Sequence, residues 1–118
     1  MAGGSKMKLL VVTISDRTKL TPILDKFYER GIKGATVIDS HGMGHLIADH
    51  FPFFSRFAEI GDPQSDLNYT IFSVIKDEGL VDRAIKTIEE EVGDLEEENS
   101  GLAFVLPIDY VKGFPKQD

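Results

Sequence analysis

Two glycines flank a methionine in "IDSHGMGHLI", and Asp39, His41, His45, Asp49 and His50 lie in or close to the same stretch. Glycine is the default where backbone φ must be positive or where another group must approach the chain closely. Gly42, Met43 and Gly44 therefore form either a sharp corner or a cradle of backbone amides for phosphate, and the pattern alone leaves both open. Imidazole and carboxylate also ligate divalent metals, which gives the histidines a second chemistry. The spacing argues against it, because His41 and His45 align only on a helix and glycines interrupt that stretch. His45, just beyond the corner, suits a phosphate contact whose charge changes near neutral pH.

Further along, "HFPFFSRF" puts Phe51, Phe53, Phe54 and Phe57 into one loop segment. Such rings either fold back as a satellite core or form a docking surface, since aromatic anchors dominate interface energetics. The acidic run from Glu89 to Glu98 reads as a solvated helix end, with magnesium beside a phosphate as the alternative. No serine, histidine and acid form a recognisable nucleophile arrangement, and cysteine is absent, so catalysis is not expected.

A chain of 118 residues must position these groups. "MAGGSK" reads as an expression remnant, leaving residues 7–118 as one domain. That length supports a modest core without disulfides or a structural metal. The formal net charge is −7, from 20 acidic and 13 basic residues, so the overall field repels nucleic acid. No apolar run is long enough to span a bilayer, and the absence of cysteine fits a reducing cytoplasm.

Continuous aliphatic residues over Leu9 to Ile14 predict a central strand. Leu20, Ile23, Leu24, Phe27 and Tyr28 recur at helical spacing, with Thr21 as N-cap before Pro22 and Gly31 as the stop. Strands follow at Ala35 to Ser40 and Asn68 to Ile75, separated by a long excursion without clear period, which loop-length statistics mark as functional or mobile. A second helix carries Val81, Ala84, Ile85, Ile88 and Val92 on one face and stops at Gly93, and "LAFVLPI" forms the last strand. The order βαββαβ predicts a ferredoxin-like α+β fold, a four-stranded antiparallel sheet with both helices on one face. Strands so apolar on both sides predict that the open face is buried in a symmetric oligomer.

"KLTPILDKFYERGIKGATVIDSHGMG" resembles the first helix, second strand and Gly-x-Gly corner of nitrogen regulatory PII proteins, and "SGLAFVLPIDYVKG" fits the end of the same plan. The resemblance implies a cytoplasmic homotrimeric signal-transduction protein that binds an adenine nucleotide in clefts between subunits. A T-loop leaving the corner would switch with the ligand and regulate a target such as a membrane transporter. Carried onto this chain, Gly42, Met43 and Gly44 form the corner and His45 the first residue beyond it. Gly34, Ala35 and Thr36 touch base and ribose across the cleft, while Ser100, Gly101 and Leu102 form a second phosphate loop. Leu102 stands where the nitrogen regulators carry a phosphate-binding lysine, and the chain's end offers only Lys112 and Lys116. AMP or ADP, or cyclic di-AMP, is therefore expected over ATP, without a required metal. The rival expectation is a trimeric divalent-metal-binding protein resembling the CutA family.

Overall fold

A computed structural model describes residues 7–43, 67–97 and 101–113. The elements are β1 (Lys8–Ile14), a 3₁₀ turn (Arg17–Lys19), α1 (Leu20–Glu29), β2 (Thr36–His41), β3 (Leu67–Ile75), α2 (Glu78–Val92) and β4 (Gly101–Pro107). The strands form one sheet in the order β2-β3-β1-β4, with every neighbouring pair antiparallel. This is the expected α+β ferredoxin-like plan. β1 is central, which explains why its sequence is the most continuously apolar.

Alternation along β1 divides the molecule. Leu10, Val12 and Ile14 point into the helix-covered core with Ile71 and Ile75 of β3, Ile23 and Phe27 of α1, and Ala84 and Ile88 of α2. Leu9, Val11 and Thr13 occupy the other face. Cross-strand register continues that face in rows, Thr36–Phe72–Val11–Phe104 and Ile38–Thr70–Thr13–Leu102. Val11, mid-row, is already buried, but Ile38 (47% exposed), Leu102 (58%), Phe104 (44%) and Leu106 (46%) are open. The sheet therefore has one face packed by the helices and one apolar face whose edge-strand residues none of the described residues covers.

Local chemistry sets the ends of the elements. Gly31 and Gly93 take positive φ of 99° and 91° after the two helices, as stops predicted from sequence. Asp77 caps α2 by accepting from the Leu80 amide at 2.9 Å. The predicted cap at Thr21 is wrong. Thr21 lies inside α1, which starts from Lys19 without a side-chain cap bond, and Asp16 instead caps the preceding 3₁₀ turn. Tyr28, placed on the apolar face by spacing, is 62% exposed. Strand ends shift by a residue: β2 runs from Thr36 to His41, and β4 begins at Gly101 rather than Leu102.

The acidic run is less solvated than its composition predicts. Lys26 of α1 lies 3.2 Å from Glu90 and 2.7 Å from Glu91. Arg30 donates to both carboxylate oxygens of Glu90 and to the Thr87 hydroxyl. Glu89 turns back to accept from the Leu95 amide. The acids at the α2 C-terminus, unfavourable to the helix dipole, are thus answered by cations from α1.

Candidate functional site

The predicted site has three parts, and the sheet determines where each falls. The corner begins at Gly42, directly after β2, with Met43 projecting into solvent. Its root is held on both faces of β2. On one, the Ser40 hydroxyl meets the Thr70 hydroxyl at 2.8 Å and donates to the Asn68 carbonyl. On the helix-covered face, Arg17 donates to Asp39 at 3.2 Å, and its guanidinium carbon sits 4.0 Å from the centre of the Tyr69 ring. Asp39 and Tyr69 are directly opposed in the β2–β3 register, so one arginine grips neighbouring strands just below the corner.

Gly34, Ala35 and Thr36 lie at the opposite end of β2. Buried Ser73 donates to the Gly34 carbonyl at 2.7 Å, and buried Ile32 anchors the preceding turn. A shallow groove of about 140 Å³ opens beside Gly34 and Ala35, walled by Leu24, Tyr28 and Lys33. At the strand rise, Thr36 and His41 are about 17 Å apart. Gly34 to Thr36 and Gly42 of one chain therefore stand at opposite ends of the strand, too far apart to enclose one small ligand together.

Gly101 opens β4 at the same end of the sheet as the corner, but on the other edge. The row Asp39–Tyr69–Ile14–Gly101 crosses all four strands, a span of roughly 14 Å at ordinary strand spacing. Gly101 has φ 144°, and a Cβ there would stand 2.6 Å from the Thr13 carbonyl oxygen. Glycine is required at this position by close backbone packing on β1, independently of any ligand. Leu102 is exposed beside it. A hollow of about 210 Å³ next to Gly101 is lined, among the described residues, by Glu89 and Glu96 with Ile85, Leu95, Leu102 and Ala103.

Gly44, His45, Ser100, Phe51, Phe53, Phe54 and Phe57 lie outside the described residues, as does the loop that carries the phenylalanines. Among the described residues no three His, Cys, Asp or Glu side chains gather into a metal-binding group. His45 and His50, which the metal reading needs, are not among them. No helix among the described residues is long and apolar enough to cross a membrane. Sequence reasoning missed the Arg17 grip, whose partner Asp39 is 22 positions away with nothing local to signal it.

Fold and register define a ferredoxin-like sheet with Gly42 directly after β2 and a tightly packed glycine opening β4. The model of the Nitrogen regulatory protein P-II family matches residues 7–115, and the chain belongs to that family. Solved structures agree on the fold. Arabidopsis thaliana PII bound to citrate superposes with a TM-score of 0.61 at 22% identity, covering 89% of this chain and 77% of that one. The GlnK–ATP complex of B. subtilis gives 0.61 at 15% identity, over 92% and 85%. A functionally unknown protein from Pediococcus pentosaceus gives 0.60 at 17% identity, over 93% and 99%. No curated protein matches the sequence.

Proposed function

We propose that this chain is a non-enzymatic, homotrimeric PII-type signal-transduction protein that binds an adenine nucleotide between subunits. The observation that carries the reading is the split placement of the site. The corner after β2 and the glycine opening β4 share one end of the sheet but lie on opposite edges. A closed ring in which the β2 edge of one subunit meets the β4 edge of the next joins them, as a head-to-tail interface does when its rotation closes. The uncovered apolar face supports the same assembly, since rows ending in Phe104 and Leu102 gain cover when subunits pack about an axis.

Within that cleft, amides of Gly42 to Gly44 and the loop of Ser100, Gly101 and Leu102 hold phosphate, with His45 as an added contact. Gly34, Ala35 and Thr36 contact base and ribose. The two carboxylates in the hollow beside Gly101, and Leu102 where the nitrogen regulators carry a lysine, support AMP or ADP over ATP, with cyclic di-AMP as the other low-charge candidate. The relatives' ligands, ATP in one and citrate in another, are consistent with a small-anion cleft. Binding then biases the loop beyond the corner, with Phe51, Phe53, Phe54 and Phe57 as the surface offered to a target protein, such as a transporter, from the cytoplasm. The ligand must bind one loop state better than the other for this to work.

Calorimetric titration of ligand-free protein with AMP, ADP, ATP and cyclic di-AMP tests the reading. Saturable binding with AMP or ADP tighter than ATP is expected. Gly44→Phe should abolish it while leaving the circular-dichroism spectrum unchanged. Unaltered affinity in that variant would remove the corner from the site.

A further inference from the structure

The far end of the molecule carries a second concave feature, which adjoins the groove beside Gly34 and Ala35 through Lys33 but is otherwise unused by the nucleotide reading. Where α1 ends and α2 begins, a hollow of about 400 Å³ is lined by Arg30, Lys33, Lys76 and Arg83, with Gly79 and, as the one acid among the described residues, Asp77. Four cations around one hollow is a pronounced local excess in a chain of net charge −7. It is also remote from the corner. Lys76 follows the Ile75 end of β3, opposite Lys8 in the register, whereas the corner and Gly101 lie at the Ile14 end, about 20 Å away along β1.

The acids nearby do not neutralise this charge. Asp77 is committed to the Leu80 amide, and Glu78 faces Lys8 at 3.8 Å. Among the described residues, Arg30 is the only one of the four with a carboxylate partner, Glu90. Arg83 donates one bond to the Arg30 carbonyl and has no ion pair among the described residues. Lys33 lies over the Tyr28 ring and Lys76 is exposed, each without an ion pair among those residues. The first turn of α2, a helix of 15 residues, opens onto the same hollow, with Leu80 at its wall. Its positive end is already met by the Asp77 cap and by Glu78 in the first turn, so the four cationic side chains carry the field.

We infer that this hollow is a second anion site, selective for a small multiply charged phosphate. A monovalent anion cannot engage cations on several walls at once, whereas a diphosphate spans them and matches the forked guanidinium of Arg83. The hollow lies on the helix side of the sheet, away from the apolar face that the trimer would cover. Two sources share this chemistry, free pyrophosphate and the diphosphate of a nucleotide.

The test is calorimetric titration of the full chain with inorganic pyrophosphate, ADP and citrate, comparing wild type, Lys76→Gln/Arg83→Gln and the control Lys86→Gln, whose side chain is exposed outside the hollow. The expected result is saturable pyrophosphate binding, weakened at least about tenfold in the double variant and unchanged in the control. If ADP occupies the hollow as well, it binds wild type with one more site per subunit than it binds the double variant; a single unchanged ADP site assigns the hollow to free pyrophosphate. Equal losses in the control, equal affinity for citrate and pyrophosphate, or no pyrophosphate binding would each overturn the inference. AMP affinity of the double variant separates the two sites. If it is unchanged while pyrophosphate binding falls, the hollow stands independently of the nucleotide cleft, and failure of AMP binding in wild type counts against the cleft alone.

Discussion

Gly101 shows how packing alone can demand a glycine at a candidate ligand position. Its backbone lies against Thr13 so closely that a methyl group has no room, and its φ of 144° is one that side chains resist. Gly101→Ala should therefore lose at least about 1 kcal/mol of stability, read as a lower urea midpoint at unchanged slope, whether or not nucleotide is present. A stable variant that lost only nucleotide affinity would contradict the packing role. Arg17 is the other decisive residue. Its pair with Asp39 is largely exposed, so the ion pair alone is worth about 0 to 1 kcal/mol, and stacking on Tyr69 adds about 0.5 to 1 kcal/mol. A double-mutant cycle on Arg17→Ala and Asp39→Ala should return a coupling within the first range. The single Arg17→Ala change should cost more than Asp39→Ala, because it also removes the ring contact. The sequence carried no sign of this arrangement, since Arg17 stands on the turn after β1 while Asp39 and Tyr69 stand on β2 and β3 and are brought together by sheet register.

At the scale of elements, the helices are joined as much by charge as by apolar contact. Hydrogen bonds from Arg30, then Lys26, hold the Glu90 carboxyl below its ordinary range, and Glu91, then Glu90, raise the Lys26 ammonium. For Glu90 the folded value is the lower one, so its stabilisation is complete above the unfolded carboxylate range and is lost as pH falls through it. For Lys26 the folded value is the higher one, so its share is present below the unfolded lysine range and is lost as pH rises through the folded one. Glu90→Gln should flatten the acid limb of the stability curve, measured as melting temperature against pH. An acid limb as steep as that of wild type would show that other carboxylates dominate, with Asp16, lowered by its Thr18 bonds, the next candidate. Element order was legible from periodicity, since the spacing picked out Ile23 and Phe27 of α1 and Ala84 and Ile88 of α2, which are buried against β1 and β3. Caps were less legible. "SDRTKLTP" offers several capping side chains, and the 3₁₀ turn that takes Asp16 as its cap displaces Thr21 from that role. Tyr28 shows the same limit, because helical spacing places a residue on a stripe but does not say how wide the covered stripe is.

Over the whole molecule, the sheet's two faces carry the functional argument. The strands' two-sided apolarity predicted a buried open face, and Val11 between Phe72 and Phe104 shows how far one chain covers it by itself. The outer rows stay exposed, and the two glycine features stay on opposite edges. Neither fact could be read from the linear order, where Gly42 and Gly101 are simply two glycines at strand ends. The basic hollow was equally hidden, because Arg30 and Lys33 come from the end of one helix, and Lys76 and Arg83 from the start of another. The phenylalanine segment remains a sequence-level expectation, since it lies outside the described residues.

Native mass spectrometry of the ligand-free protein with added AMP or ADP tests the central claim most directly. A trimer that takes up three nucleotides, and dissociates less readily when it holds them, is the predicted result. A monomer that binds nucleotide unaided, or a trimer that binds none, would contradict a site built from opposite sheet edges of neighbouring subunits.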